Sequence, residues 1–190
     1  MALGMILRAF HYRSREVLIP LYKTFVRPKL EHAVAAWSPW TESDRETLER
    51  VQRRLVRLVS DKKGGNYKER LESIGLTTLT ERRERGDVIE TFKTINGFNK
   101  VDRSEWFNFR NAENTRATRS TVSVSEDGEC DRSDVLYMGT VRLDTRKQFF
   151  TVRAISMWNN IPDEVKSKKS VNSFKNAYDE WKRKERQQQQ

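Results

Sequence analysis

Apolar residues recur at steps of three and four along most of the chain, a spacing that places them on one face of an α-helix. The clearest stripe is formed by Leu48, Val51, Leu55, Leu58 and Val59. Just before it, Ser43-Asp44-Arg45-Glu46 matches a capping box, in which a serine is followed three residues later by a glutamate. The pattern therefore predicts an amphipathic helix that begins near Ser43 and ends at Gly64-Gly65.

Further helices are predicted on both sides of this one. They are expected over residues 3–12, 14–26, 29–36, 67–74, 78–96, 146–159 and 171–186. Pro20 lies inside the second of them and predicts a kink, or a new helical start near Ile19. Arg27 precedes Pro28, and we expect Arg27 to leave helical geometry because a proline crowds the residue before it.

Capping residues and glycines mark the ends of several predicted helices. Asn66 is the expected N-cap of the helix that Gly75 ends. Thr78-Leu79-Thr80-Glu81 is a second capping box, and it opens a helix that Gly97 ends. Ser170 is the expected cap of the last helix, whose apolar face is carried by Val171, Phe174, Tyr178 and Trp181.

Residues 111–134 interrupt the helical pattern, since they are rich in Ser, Thr, Asp, Glu and Asn and contain few large apolar side chains. They predict a long irregular loop. Val122 and Val124 within this loop, and Val135–Leu143 after it, are the candidate strands of a weak β-hairpin. The sequence thus predicts a mainly α fold in four parts. These are a helical region over 1–100, a loop-rich connector over 101–145, a carboxy-terminal helical region over 146–186 and a disordered glutamine tail over 187–190.

Charge narrows the choice of partner. The chain has 190 residues, and 37 Lys and Arg against 27 Asp and Glu give it a net charge of +10. Such an excess favours nucleic acid or an anionic membrane as partner, although a solvated surface without a ligand carries the same charge. No predicted helix combines a broad apolar face with a purely cationic one, and no apolar run approaches the roughly 20 residues of a membrane span, so we expect no membrane partner.

Cysteine usage bears on the compartment. Cys130 is the single cysteine of the chain, which excludes an internal disulfide framework. One unpaired cysteine fits a reducing environment. We therefore expect an intracellular protein, in the nucleus or the cytoplasm, that is not secreted.

The best candidate contact surface is a row of arginines on the helix after Ser43. Arg50, Arg53, Arg54 and Arg57 fall on roughly the opposite face from the apolar stripe, and Lys62 and Lys63 follow. Cations at three- and four-residue steps meet several phosphates at once, and the planar guanidinium fork suits phosphate oxygens. A solvated helix face, partly neutralised by Glu46 and Glu49, explains the same residues equally well.

The sequence offers no catalytic constellation. Two-metal nucleotidyl transfer needs clustered carboxylates, and no Asp-Asp pair occurs in the chain. His11, His32 and Cys130 are far apart in the sequence, a spacing that does not match the ligand sets of zinc sites. Neither a phosphate-binding glycine loop nor a nucleophile elbow is present. We therefore expect no catalytic residues, no metal and no cofactor.

Several motifs occur in an order typical of one family. They are Leu21–His32 with Ala36-Trp37-Ser38-Pro39, Gln52-Arg53-Arg54, Tyr67–Leu71, Leu76–Leu79, Glu81–Asp87, Phe149–Arg153, Trp158–Pro162 and Val171–Lys175. This set resembles the region that follows the polymerase palm in reverse transcriptases of non-LTR retrotransposons, the jockey-like long interspersed elements. The resemblance implies a helical, thumb-like bundle that grips a template–primer duplex through the helix of Gln52-Arg53-Arg54.

The resemblance implies a function without catalysis, because the palm and its metal-binding aspartates have no counterpart in the sequence. The expected function is phosphate gripping by the arginine row and the two lysines, without base readout. The expected partners are RNA or an RNA–DNA hybrid, and the palm domain of a parent polymerase where one is present. The alternative is a structural remnant of a truncated retroelement with no biochemical activity.

Overall fold

The computed structural model describes residues 2–60, 65–109 and 135–188. Within these ranges the protein is mainly helical, which confirms the predicted fold class. The helices are α1 (Ala2–Ala9), α2 (Arg15–Leu21), a π-helical segment (Tyr22–Val26), α3 (Arg27–Leu30), α4 (Glu42–Val59), α5 (Tyr67–Ser73), α6 (Leu79–Ile95), α7 (Arg103–Trp106), α8 (Asp144–Lys147), α9 (Phe150–Asn159), α10 (Asp163–Lys166) and α11 (Val171–Gln188). None of the described helices is both long enough and apolar enough to span a bilayer.

The chain forms two compact units, Met1–Asp87 and Val88–Gln190. The division falls within α6, whereas the sequence pattern placed the first boundary after residue 100. In the first unit, apolar side chains of α1, α2, the π-helical segment, α4 and α5 share one core. Its most deeply buried members are Leu18, Tyr22, Leu55, Val56 and Leu71.

The segment from α2 to α3 is a continuous helix that changes pitch. Pro20 lies inside α2, and the π-helical segment follows it directly. Arg27 has helical dihedral angles (φ −58°, ψ −44°), so the expectation that it leaves helical geometry is wrong. Its N–H group donates to the carbonyl of Tyr22, five residues earlier, and this wider π turn leaves room for the ring of Pro28.

The helix predicted over 29–36 does not form. α3 ends at Leu30 and turns follow, with Ala33 in a left-handed conformation (φ 51°). The carboxylate of Glu31 forms a bidentate ion pair with the guanidinium of Arg82 on α6, with one contact at 2.9 Å. This contact between distant parts of the chain holds the turn, and local helix propensity does not outweigh it.

Both ends of α4 differ from the prediction. Thr41 caps the helix: its hydroxyl oxygen accepts from the Asp44 N–H (3.1 Å), and its O–H group donates to the Asp44 carboxylate (2.7 Å). The N-cap therefore lies two residues before Ser43, and the predicted Ser43–Glu46 capping box does not form because Ser43 lies inside the helix. At the other end, α4 stops at Val59, before the glycine pair, and Ser60 is extended.

The glycine stops predicted for α5 and α6 are confirmed. Gly75 has a left-handed conformation (φ +66°) after α5. The N–H of Leu76 donates to the carbonyl of Leu71 (2.9 Å) and that of Gly75 to the carbonyl of Glu72 (3.0 Å), which is a Schellman motif. Gly97 (φ +70°) ends α6 in the same way.

The core of the second unit is built from stacked aromatic rings. Phe92 of α6 lies 4.1 Å from Phe174 of α11, centroid to centroid, and Trp158 of α9 lies 6.0 Å from the same ring. Ser170 accepts from the Ser173 N–H (3.2 Å), which confirms the predicted cap of α11. α11 extends to Gln188, into the tail that was expected to be disordered.

Two further predictions for this unit need correction. The helix expected over 146–159 is divided into α8 and α9 by a break at Gln148 and Phe149. The strand pairing joins β1 (Asn108–Phe109) and β2 (Leu136–Tyr137), which are antiparallel. β2 lies where one predicted strand was placed, but Val122, Val124 and the loop predicted over 111–134 lie outside the described residues.

Candidate nucleic-acid interface

The buried face of α4 differs from the predicted apolar stripe. It is formed by Glu49, Gln52, Leu55, Val56 and Val59. Leu58 is 43% exposed, and Leu48 and Val51 are only half-buried. At 3.6 residues per turn, the observed face is rotated by about 70° from the predicted one.

A buried carboxylate explains the rotation. Glu49 accepts hydrogen bonds from the Tyr67 hydroxyl (2.5 Å) and the Gln52 side-chain amide (3.2 Å) through Oε1. Its Oε2 accepts from the backbone N–H of Leu79 (3.0 Å), the first residue of α6. The carboxylate thus satisfies a free N–H at a helix amino terminus, where the helix dipole favours negative charge.

Gln52 completes this polar network. Its side-chain oxygen accepts from the Tyr22 hydroxyl (2.6 Å), and its side-chain nitrogen donates to the carbonyl of Thr77 (2.9 Å). Burial raises the pKa of Tyr22 and of Tyr67, and the hydrogen bond to Glu49 raises the pKa of Tyr67 further. Sequence reasoning missed the network. The signal that could have found it is spacing, because Glu49 and Gln52 lie at three- and four-residue steps from Val56 and Val59, on the same face of the helix.

Three of the predicted arginines lie opposite this buried face. Arg50, Arg54 and Arg57 are exposed and fall within an arc of about 60° at 3.6 residues per turn. No group in the described part of the chain forms an ion pair or hydrogen bond with their guanidinium groups. Lys62 and Lys63, the two lysines predicted to follow the row, lie outside the described residues.

Arg53 has a different environment. Its guanidinium forms an ion pair with Glu46 and lies 5.1 Å from the centre of the Tyr67 ring. Its side chain is 38% exposed, and its Nε is buried without a hydrogen-bond partner. The structure therefore separates Arg53 from the three exposed arginines. Glu49, which was expected to neutralise the row, points into the core instead.

The exposed face has the dimensions of a backbone contact. Arg50 and Arg57 are seven residues apart, which is about 10 Å along the helix axis. Duplex nucleic acid carries one negative charge per about 1.7 Å of its axis, so several phosphates fit within that length. The arrangement supplies cations along a line and no group that reads base edges.

The chain was compared with known proteins to identify its family. Comparisons with family models, with curated proteins and with solved structures found no match for this chain. The relationship to non-LTR reverse transcriptases thus stays a prediction from the order of sequence motifs.

Among the described residues, no group of three or more His, Cys, Asp or Glu side chains is placed to hold a metal ion.

Proposed function

We propose that the exposed face of α4 binds the sugar–phosphate backbone of RNA or of an RNA–DNA hybrid, as a non-catalytic segment of a retrotransposon reverse transcriptase. The observation that supports this is the alignment of Arg50, Arg54 and Arg57, exposed and without partners among the described residues. Each guanidinium is free to form two parallel hydrogen bonds with phosphate oxygens. Backbone contacts of this kind position a nucleic acid and carry no sequence information.

The six predicted residues contribute unequally in this proposal. The three exposed arginines make the contacts, and Lys62 and Lys63, which follow α4 in the sequence, add two further cations. Arg53 contributes less, because its guanidinium is already held by Glu46 and Tyr67. The net charge of +10 adds a general attraction for polyanions.

The resemblance in sequence adds the biological setting. In that family a thumb grips the template–primer duplex beside the palm, so the palm domain of a parent polymerase is the proposed protein partner. A nucleic-acid partner and a single cysteine both favour an intracellular location, in the nucleus or the cytoplasm. The chain itself is proposed to have no catalytic activity.

The test compares two variants that remove the same charge. Arg54→Ala/Arg57→Ala removes two members of the row, and Arg183→Ala/Arg186→Ala removes two exposed arginines of α11. Binding of a labelled RNA duplex and an RNA–DNA hybrid is measured by fluorescence anisotropy between about 50 and 200 mM salt. We expect the first variant to lower the slope of log affinity against log salt by about 1 to 2, since each lost phosphate contact removes about 0.9.

Comparing these two variants distinguishes binding at the exposed face of α4 from attraction that depends only on the net charge of the protein. Equal loss of affinity in both variants would show that the interaction depends on net charge alone. Undetectable binding by the unmodified protein at low salt, with an intact helical circular dichroism spectrum, would exclude the proposed function.

A structural remnant without activity is the second candidate. The observation that favours it is the exposure of large apolar side chains in the first unit, at Phe25, Trp37, Trp40 and Leu58. Exposed apolar surface promotes association or aggregation when nothing covers it. A folded protein that self-associates at micromolar concentration and binds neither nucleic acid would support the remnant.

A further inference from the structure

The aromatic side chains of the second unit differ in exposure. Six of them are buried and form its core: Phe92, Phe107, Phe150, Trp158, Phe174 and Tyr178. Four others are exposed: Phe98 by 50%, Trp106 by 43%, Tyr137 by 46% and Phe149 by 56%. The Phe98 ring stacks on the buried Phe92 ring at 5.9 Å, whereas Trp106, Tyr137 and Phe149 present large parts of their rings to solvent elsewhere.

The three exposed rings belong to neighbouring elements. The ring of Trp106, at the end of α7, meets the ring of Phe150 edge to face at 6.1 Å. Phe149 directly precedes Phe150 and begins α9 as its N-cap. Tyr137 of β2 is paired with Asn108 of β1, two residues beyond Trp106. The three rings therefore belong to the end of α7, the start of α9 and the β1–β2 pair, which follow or contact one another in the unit.

Two arginines in or beside these elements lie against aromatic rings, one against Phe149 and the other against the half-buried Phe109. The guanidinium of Arg146 lies 5.1 Å from the centre of the Phe149 ring, and that of Arg103 lies 5.3 Å from the centre of the Phe109 ring. Both arginines are exposed, as is Arg142 between β2 and α8. We call the three exposed rings and these three cations the aromatic–arginine patch: Trp106, Tyr137, Phe149, Arg103, Arg142 and Arg146.

We propose that the aromatic–arginine patch binds single-stranded nucleic acid. Every unpaired base presents a flat π face that stacks on an aromatic ring, and every nucleotide carries a phosphate for the neighbouring guanidinium groups. A duplex hides its base faces inside its own stack, so the patch selects unpaired strands. The patch shares no residue with the arginine row of α4, and the inference holds whether or not that row binds a duplex.

The experiment separates base stacking from charge by using two labelled probes of equal length. One is an oligothymidine of about 12 nucleotides, within the usual site size, and the other is an abasic deoxyribose-phosphate chain with the same charges and no bases. We expect the protein to bind the oligothymidine at least about fivefold more tightly, the factor that one stacked base supplies. Fluorescence anisotropy titrations give the ratio of the two affinities.

Substitutions test whether the preference for oligothymidine over the abasic chain depends on the aromatic–arginine patch. Phe149→Ala and Trp106→Leu are expected to bring it close to one, whereas Phe149→Tyr, which keeps a ring, preserves it. Leu143→Ala is the matched control, because Leu143 is apolar and 68% exposed near α8 but has no π face. Arg146→Ala weakens binding of both probes alike. Phe149 is the deciding position if Trp106→Leu unfolds the protein, since the Phe149 ring lies outside the core.

Several outcomes would overturn the inference. One is equal affinity of the protein for the two probes, and another is an unchanged ratio in a folded Phe149→Ala variant. If the Arg54→Ala/Arg57→Ala variant bound both probes equally, base recognition would be assigned to α4 instead of the patch. Self-association that Phe149→Ala and Leu143→Ala abolish, without any preference for bases, would identify the patch as a contact between copies of this chain.

Discussion

The guanidinium group of Arg53 lies 5.1 Å from the centre of the Tyr67 ring, and the hydroxyl of Tyr67 donates a 2.5 Å hydrogen bond to the buried carboxylate of Glu49. A residue of the predicted binding row thus connects α4 to α5 instead of facing solvent freely. Its neighbour Arg54 has no such contact among the described residues. The two adjacent arginines should therefore respond differently to the same substitution.

Arg53→Ala is expected to destabilise the protein, and Arg54→Ala is not. The first removes a partly exposed cation–π contact and the ion pair with Glu46, which together contribute about 1 to 2 kcal/mol. The second removes an exposed side chain and should change the free energy of unfolding by less than about 0.5 kcal/mol. Urea denaturation followed by circular dichroism measures both. Equal effects would mean that the contact with Tyr67 contributes nothing.

Stability should fall at alkaline pH because of Tyr22 and Tyr67. Burial raises the pKa of both phenols in the folded protein above the value of about 10 found in an unfolded chain. Above pH 10 or so the folded state therefore holds more protons than the unfolded state, and the free energy of unfolding decreases as pH rises. Below that pH the contribution is fully present.

Urea denaturation at a series of alkaline pH values tests this dependence. Tyr67→Phe and Tyr22→Phe should each flatten the decrease, because they remove a phenol whose pKa differs between the two states. Tyr12→Phe, at a residue that is 76% exposed, controls for the loss of one hydroxyl. A decrease of the same steepness in Tyr22→Phe and Tyr67→Phe would contradict the assignment.

Alanine should have opposite effects at two glycines of the first unit. Gly86 lies in α6, and an added Cβ would meet Val34 at 3.8 Å, an ordinary van der Waals distance. Gly86→Ala should stabilise the protein by about 0.5 to 1 kcal/mol through helix propensity. Gly75 has φ +66°, so Gly75→Ala should destabilise by about 1 kcal/mol through backbone strain. Thermal melting curves of the two variants measure these effects. A lower melting temperature for Gly86→Ala, or a higher one for Gly75→Ala, would contradict the prediction.

Asn159 is expected to be more important for stability than Asn160. Its side-chain oxygen accepts from the backbone N–H of Leu136 (3.0 Å), and its side-chain nitrogen donates to the carbonyl of the same residue (2.9 Å). Leu136 is buried, so Asn159→Ala leaves both backbone groups without these partners and should cost about 1 to 3 kcal/mol. Asn160→Ala, at an exposed position, should be nearly neutral. Chemical denaturation of both variants compares them, and similar costs would refute the role of Asn159.

Several local features of the fold could be predicted from the sequence because they depend on neighbours in the chain. Gly75 and Gly97 end their helices as expected, since glycine alone adopts the left-handed conformation without strain. Thr78 accepts from the Glu81 N–H (3.2 Å), as the second capping box predicts. The apolar face of α11 also follows its period, with Phe174 and Tyr178 buried.

The face that α4 buries could not be predicted in the same way. Leu58 belongs to the apolar period but is 43% exposed, while Glu49 and Gln52 are buried. Their burial is favourable only because Tyr22, Tyr67 and the first N–H of α6 supply hydrogen bonds. These partners lie at least fifteen residues away in the sequence, so no local pattern reports them.

By itself, then, the sequence determined that this protein is mainly helical, where most of its helices lie and that it carries a surplus of cations. Helix propensity, capping and side-chain period act within a few residues, which is why a linear sequence reveals them. The tertiary structure alone decided which arginines remain in solvent and which one is held by a carboxylate and an aromatic ring. That outcome depends on hydrogen bonds and burial between segments that become neighbours only when the chain folds.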